Sequence, residues 1–382
     1  MNIQILGAAT TKFGEHWHKS LRDLIREACL ETVKDAGIKN DKIEAVYIGN
    51  MLSGILSGQE QLGPMVAEEL GLRVPAIRIE AACASGGLAM HEAISSIESG
   101  KYETVLVVGA EKMTDRPQEM VAMALMAAGS DAERQSGATF PALYALMARA
   151  HMEKYGTTEK QLAAVAVKNH YHASLNGKAH YPFPIKSEQV LASSKIADPL
   201  KLLDCSGISD GASAVIITSK LKIKNEKLKI RIIACEVATD TLGLAQRESL
   251  TQLKATKIAG QKAYQRAGVR PKDIDVAELH DCFTIAEIIA LEDLGFYQKG
   301  EAGPQVLKGA TKLGAKGLIT NTSGGLKACG HPVGATGVKQ IVEITKQLRG
   351  EGEKKQVEGA KVGLCHNVGG TGATAVVTIL TN

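Results

Sequence analysis

Aromatic residues are scarce in this chain: Phe, Trp and Tyr together make up 4% of 382 residues, with a single Trp. The core is therefore expected to be aliphatic. Neither sign of charge dominates, since 45 basic residues stand against 41 acidic ones for a net charge of +4. No dense Lys/Arg run carries interleaved aromatics, which argues against nucleic acid as a main partner; the mild positive bias suits an anionic small molecule equally well. No run approaches 18 consecutive apolar residues, so no membrane span is expected. The stretch MNIQILGAATTKFGEHW lacks a charged n-region followed by a long apolar stretch, and the final ILTN is not a peroxisomal address. The expected location is the cytoplasm. Seven cysteines, at 29, 83, 205, 235, 282, 329 and 365, show no CxxC spacing and are odd in number. Reduced thiols are expected, and zinc ligation by them is not. Glycine is what the chain has in quantity, 39 residues, beside 45% hydrophobic and 23% charged residues. That composition describes a folded globular protein of two or three domains with many close backbone approaches.

Strand-like and helix-like segments alternate along the chain, which argues for layered α/β architecture. Residues 21–37 read as an amphipathic helix ending at Gly37, and 90–100 continue another. Segments 43–52, 104–113, 229–238, 275–283 and 375–380 read as strands. Two internal similarities stand out. DAGIKNDKIEAV (35–46) resembles RAGVRPKDIDVA (266–277) at an offset of 231, and GASAVIIT (211–218) resembles GATAVVTI (372–379) at an offset of 161. The chain therefore reads as two similar halves. The offsets differ by 70 residues, which predicts an insertion in the first half. The expected division is 1–115 with 186–222 as the first half, 116–185 as an inserted loop domain of Met- and Ala-rich helices, and 223–382 as the second half. The Lys-rich stretch 220–229 would link them. Short Gly/Ala/Val strings can also match by chance.

Four segments could carry chemistry. In IEAACASGGLAMHEAISS, Cys83 stands where an apolar stretch meets a helix start, among Ala84, Ser85, Gly86 and Gly87 that permit a sharp turn. A thiol there would face the positive end of the helix dipole and unpaired N–H groups, which favour the reactive thiolate; a small buried apolar cysteine is the plainer alternative. In GGLKACGHPVGATG, Pro332 restrains His331 beside glycines, as suits a base that meets a nucleophile across a domain boundary. A capping turn with a solvent-facing His is the alternative. In AELHDCF, His280, Asp281 and Cys282 follow a strand, where α/β folds place their ligands, or simply form a polar turn. In GLCHNVGGTGATAVV, a glycine turn beside Cys365 and His366 could hold an anion, although it fits neither GxGxxG nor GxxxxGK[ST].

Cys83 in CASGG, then SDGASAV, HDCF, GHPVGATG and HNVGGTG, in this order and at these separations, resemble the thiolase family across essentially the whole chain. HDCF in place of an Asn-Glu-Ala-Phe loop is similar to the sterol-carrier-protein-type and archaeal branch, and the length and the start ILGAATTKFGE are most similar to archaeal acetyl-CoA acetyltransferases. The resemblance implies two duplicated βαβαβαββ halves in a five-layer αβαβα sandwich with a loop domain inserted in the first. It implies condensation of two acetyl-CoA to acetoacetyl-CoA plus CoA, reversibly, through an acetyl-cysteine, as at the head of mevalonate-dependent isoprenoid synthesis. Cys83 would be the nucleophile, His331 the base that takes its proton, and His280 a donor or water holder of an oxyanion site. The family's second cysteine falls on His366 here, with Cys365 one step earlier; in the HDCF branch the motif cysteine takes over, which makes Cys282 the preferred second acid/base. Ser206, Ile208 and Lys327 would contact coenzyme A, Lys327 also reading as an ordinary surface lysine. The Met-rich helices in 119–152 would form loop-domain core and a soft pantetheine tunnel. No metal or cofactor beyond the CoA thioesters is implied. Partners implied are a homodimer or homotetramer, and a complex with HMG-CoA synthase and a small zinc-bearing OB-fold protein. Other readings are a longer-chain 3-ketoacyl-CoA thiolase and a non-catalytic acyl-CoA-binding subunit.

Overall fold

The computed structural model describes residues 3–220 and 229–382, so all of the linking stretch 220–229 but its two ends lies outside the described residues. In the first half, strand β1 (Ile3–Thr10), helix α1 (Leu21–Ala36), β2 (Ala45–Gly49), α2 (Leu62–Glu69), β3 (Ala76–Ile79), α3 (Ser85–Glu98) and β4 (Thr104–Glu111) follow one another. Helices α4 (Gln118–Leu125), α5 (Asp131–Gln135), α6 (Phe140–Tyr155), α7 (Glu159–Ala173) and α8 (Ser187–Ala192) then precede a small hairpin, β5 (Lys195–Ala197) with β6 (Leu200–Lys201), and β7 (Gly211–Thr218) closes the half. The second half runs β8 (Ile230–Thr239), α9 (Lys254–Ala267), β9 (Val276–Glu278), α10 (Thr284–Asp293), α11 (Ala302–Leu307), β10 (Ile319–Thr320), α12 (Gly325–Cys329), α13 (Thr336–Arg349), β11 (Val362–Gly369) and β12 (Thr374–Thr381).

The duplication expected from the repeats is present in the sheet. Its order is β3-β2-β4-β7-β1-β8-β12-β11-β9-β10, so the two halves mirror each other about the short antiparallel pairing of Ile3–Ile5 with Ile230–Ile232. The first similarity marks the same joint in each half. Helix α1 ends at Gly37 (φ +62°) and α9 at Gly268 (φ +68°), the left-handed conformation that glycine adopts without penalty. A one-turn 3-10 helix follows each, and then β2 or β9. The strand expected over 275–283 is shorter than its pattern: it stops at Glu278, and HDCF forms the bend into α10.

Layering follows from which faces are apolar. Helices α1 and α2 cover the outer face of the first sheet half, and α9 covers that of the second. Helices α3 and α13 pack on each other and touch both halves: α3 lies on β2 and β4 and also on β8 and β12, α13 on β11 and also on β7 and β1. Their buried Ala89, Met90, Ile94, Val338, Ile341 and Val342 form the central core. This is the expected five-layer αβαβα arrangement. Between β4 and β7, α4 packs on Leu52 and Leu56 of the first half, while α6 and α7 pack on α10 of the second, which is buried along its whole length. Helix α8 packs on α7 and the β5–β6 hairpin on α6.

Candidate active site

A strained turn presents Cys83. Ala82 adopts φ +52°, a left-handed conformation that costs a non-glycine residue about 1–2 kcal/mol. The Ser85 hydroxyl holds it, accepting from the Ala81 N–H at 2.9 Å and donating to the Ala82 carbonyl at 2.6 Å. Helix α3 starts at Ser85, so Cys83 lies just ahead of its first turn. Burial pushes the Cys83 thiol up to about 12, against the pull of the Gly370 N–H and its own N–H. Loss of water there works against the thiolate that the helix terminus favours.

His331 arrives from the second half on the turn between α12 and α13. Its Nδ1 lies 2.7 Å from Thr336 Oγ1, and that hydroxyl donates to the Pro332 carbonyl at 3.0 Å. A hydroxyl has one proton, so Thr336 accepts from Nδ1–H and the His331 Nε2 keeps its lone pair. Burial, and then the charge of Lys339, holds this imidazole down at about 3. It is a neutral base.

His280 is wired the opposite way. Its Nδ1 accepts from the Val368 N–H at 3.3 Å and from the Asn367 amide at 3.2 Å. That amide is itself fixed, since Asn367 Nδ2 donates to the Cys83 carbonyl at 2.9 Å and Oδ1 accepts from the Gly87 N–H at 3.1 Å. His280 therefore carries its proton on Nε2, which is buried and makes no hydrogen bond among the described residues. Burial, then the neighbouring His331 and His366, keeps the ring neutral, well below the ordinary 6.5.

Ligand atoms of Cys83, His280 and His331 all lie within 4.8 Å of one another, and the two rings meet edge to face at 5.1 Å. A thiol and two imidazoles so close could hold a soft divalent ion, but a ligating nitrogen must be unprotonated. The Val368 N–H commits the free lone pair of His280 to the wrong nitrogen. The set fits one base and one donor around a thiol better than it fits a metal.

The cluster opens on a cavity of about 760 Å³. Cys83, Cys282, His331, Ser206, Ile208 and Lys327 line it, and His280 sits just behind the wall. Burial pushes the Cys282 thiol far up, with the Tyr144 hydroxyl pulling it back. Alternation along β11 turns the other two candidates away from the cavity lining. Cys365 points into the central core, and His366 points towards α9, where its Nε2 meets Thr256 Oγ1 at 2.8 Å. Lys327 is not a surface residue: it is buried, it lines the cavity, and its ammonium makes no hydrogen bond or ion pair among the described residues. Burial brings it down to about 8, against the nearby Cys205, Asp281 and Asp204. The Met-rich helices behave differently from expectation. Met120 and Met123 are exposed and Met126 and Met147 are buried in core, while Ala122, Leu125, Phe140, Pro141 and Tyr144 supply the lining.

Several residues support the reactive ones without a chemical role assigned to them from sequence. Glu111, at the end of β4, accepts from the backbone N–H groups of Met51, Leu52 and Gly334 and so fixes the loop that follows His331. Asp281 accepts from the Leu326 and Lys327 N–H groups and from Asn169, holding α12 ahead of that loop. Asn367 does the same for Cys83. Polar residues at strand ends are common, and only contacts with distant parts of the chain, 45 to 284 residues away, distinguish these.

A family model described as thiolase, N-terminal domain, matches residues 3–221, and one described as thiolase C-terminal domain-like matches residues 237–382. The chain is 46% identical over 380 residues to the acetyl-CoA acetyltransferase of Methanothermobacter thermautotrophicus, covering 99% of each chain. It is 34% identical over 397 residues to sterol carrier protein 2 of Bos taurus, covering 99% of this chain and 72% of that one. A solved structure titled Ltp2-ChsH2(DUF35) aldolase is similar at a TM-score of 0.83 and 25% identity, over 99% of this chain and 97% of that one.

Proposed function

The chain belongs to the thiolase family, and from that premise we propose that it is an acetyl-CoA C-acetyltransferase, joining two acetyl-CoA into acetoacetyl-CoA and CoA. One observation carries the reading: the Cys83 sulfur and one ring nitrogen each of His331 and His280 lie within 4.8 Å of one another at the wall of a cavity.

In this reading His331 takes the Cys83 proton as sulfur attacks the first thioester, and His280 Nε2–H donates to the oxygen that gains charge. Such a donor contributes about 3–4 kcal/mol to a transition state. The departing CoA sulfur takes the proton of Cys282 and leaves as thiol. The Cys282 thiolate then removes an α-proton from the second acetyl-CoA, and the freed electron pair attacks the acetyl-cysteine. Cys83 departs and recovers its proton from His331. The proton lent to His331 returns to Cys83, and the proton Cys282 gives to CoA is replaced by the α-proton of the second substrate. The covalent intermediate splits one difficult step into two.

Ser206 and Ile208 line the path to Cys83 and would flank the pantetheine arm. Lys327 would donate to an acceptor on it. His170 sits near that ammonium with its Nε2 buried and unpartnered, since Nδ1–H donates to the Phe183 carbonyl at 3.1 Å, and could accept from an amide N–H. Residues 116–185 act as the loop domain that roofs the cavity over the halves 1–115 with 186–222 and 223–382. The same reading places the enzyme in the cytoplasm as a homodimer or homotetramer. It also allows a complex with HMG-CoA synthase and a small zinc-bearing OB-fold protein, in line with the DUF35 component named in the similar structure. Among the described residues no helix is long and apolar enough to cross a membrane.

The test is cleavage of 3-ketoacyl-CoAs of increasing chain length by CoA, with the reverse condensation of acetyl-CoA. The reading expects acetoacetyl-CoA to be consumed with the highest kcat/KM. A clear preference for long chains would move it to a 3-ketoacyl-CoA thiolase of broader range, and no turnover of any of them would refute it.

A further inference from the structure

Cys282 poses a problem that the reaction alone does not solve. It is buried, and after CoA departs it must persist as a thiolate until the second substrate arrives. A buried anion without donors is costly. His280 and His331 are committed to Cys83 and its substrate, and the Gly370 N–H already pulls on the Cys83 thiol.

Tyr144 of α6 is placed at this point. It is fully buried and lines the same cavity as both cysteines. Its ring stacks on Phe283, the residue after Cys282, with centroids 4.6 Å apart and planes 28° from parallel. Its hydroxyl donates to the Gly370 carbonyl at 3.0 Å, and it shares the cavity wall with the Cys282 sulfur, whose thiolate it favours. While Cys282 is protonated, the hydroxyl has a carbonyl to donate to and can accept from S–H. Once the sulfur is charged, the O–H can turn from the carbonyl to the thiolate without moving the ring.

We propose that Tyr144 is the positioning donor of the second half-reaction: its hydroxyl swings from the Gly370 carbonyl to the Cys282 thiolate and holds that anion ready to take the α-proton. Tyr144 keeps its own proton throughout. A charge-assisted bond of this kind matters only when Cys282 is ionised. The inserted helices thereby supply a group to the chemistry as well as a roof. The proposal rests on the assignment of Cys282 as acid/base.

The test is Tyr144→Phe, which keeps the stack on Phe283 and removes one oxygen. Acetylation of Cys83 by S-acetyl thionitrobenzoate, whose leaving thiol needs no proton, should stay within about twofold of wild type. Condensation of acetyl-CoA should fall about 10- to 100-fold near neutral pH, the effect expected for a hydrogen bond to a charged group. The rising limb of its pH–rate profile should move to higher pH, so that raising the pH restores part of the loss. Site-resolved alkylation of Cys282 by iodoacetamide should show the same shift. Condensation lowered evenly at every pH, or an alkylation profile that does not move, would overturn the proposal. Wild type that is not acetylated on Cys83, or Cys282→Ala that condenses normally, would instead defeat the reading beneath it.

Discussion

The two halves share one topology but divide the labour. Cys83 precedes α3 in the first half, and His331 precedes α13 in the second, so nucleophile and base approach matching helices of a duplicated unit. Those helices meet at their N-termini with no room to spare. A Cβ on Gly337 would lie 2.2 Å from the Gly87 nitrogen, and one on Gly86 would lie 2.7 Å from the Gly334 carbonyl. Each half also braces the other's reactive turn. Glu111 at the end of β4 holds Gly334 beside His331, and Asn367 near the end of the equivalent strand β11 holds the Cys83 carbonyl. The difference lies after β2 and β9. The second half places His280 and Cys282 there, whereas the first places Asn50 and a backbone that binds Glu111. Duplication supplied a symmetric frame, and chemistry was concentrated on one side of it.

The comparison can be broken most severely by removing the base. His331→Ala should reduce condensation by about 10²–10⁴-fold, the range of a lost general base, in steady-state assays, with the fold retained. Next, the second half can be asked which residue is its acid/base. Cys282→Ala should cost about 10²-fold while Cys83 can still be acetylated by an activated thioester, and His366→Ala should stay within about threefold because that ring faces α9. Equal effects of the two would erase the distinction drawn along β11. The brace comes third. Asn367→Ala frees the Cys83 carbonyl and the His280 ring together and should cost about 1–3 kcal/mol of stability in urea unfolding, with activity down by more than the stability loss explains. The last test concerns the opposite brace. Burial pushes the Glu111 carboxyl up to about 7, against the Met51, Leu52 and Gly334 N–H groups. A carboxyl raised in the fold stabilises it fully below about 4.5 and loses that contribution as pH rises through about 7. Unfolding free energy should therefore decline between pH 5 and 8 by up to about 3 kcal/mol, and Glu111→Gln should flatten that decline.

Much of this frame was legible in the amino-acid sequence, for physical reasons. A helix that ends on a left-handed glycine and turns into a buried strand must use the same few residue types twice, so 35–46 and 266–277 betrayed the duplication. Cys83, His331 and Cys282 sit in glycine-rich or strand-end turns, where local sequence is constrained enough to be recognised. Tyr144 was hidden because an aromatic residue in a Met- and Ala-rich helix looks like core, and it becomes meaningful only when α6 is laid over α10. Asn367 acts on a carbonyl 284 residues away, which no local pattern records. The buried state of Lys327 depends on α7 covering α12. The opposing pulls on Cys83 were only half legible, because the dipole of a helix is visible in sequence and the loss of water around a sulfur is not.

Mapping the acetyl group by peptide mass spectrometry after brief exposure to acetyl-CoA, in wild type and in His331→Ala, tests the meeting of the halves most directly. The account predicts acetylation confined to Cys83, removed by added CoA, and slowed by orders of magnitude once the imidazole from the other half is gone. Acetyl on a different cysteine, or Cys83 labelled just as fast without His331, would contradict it.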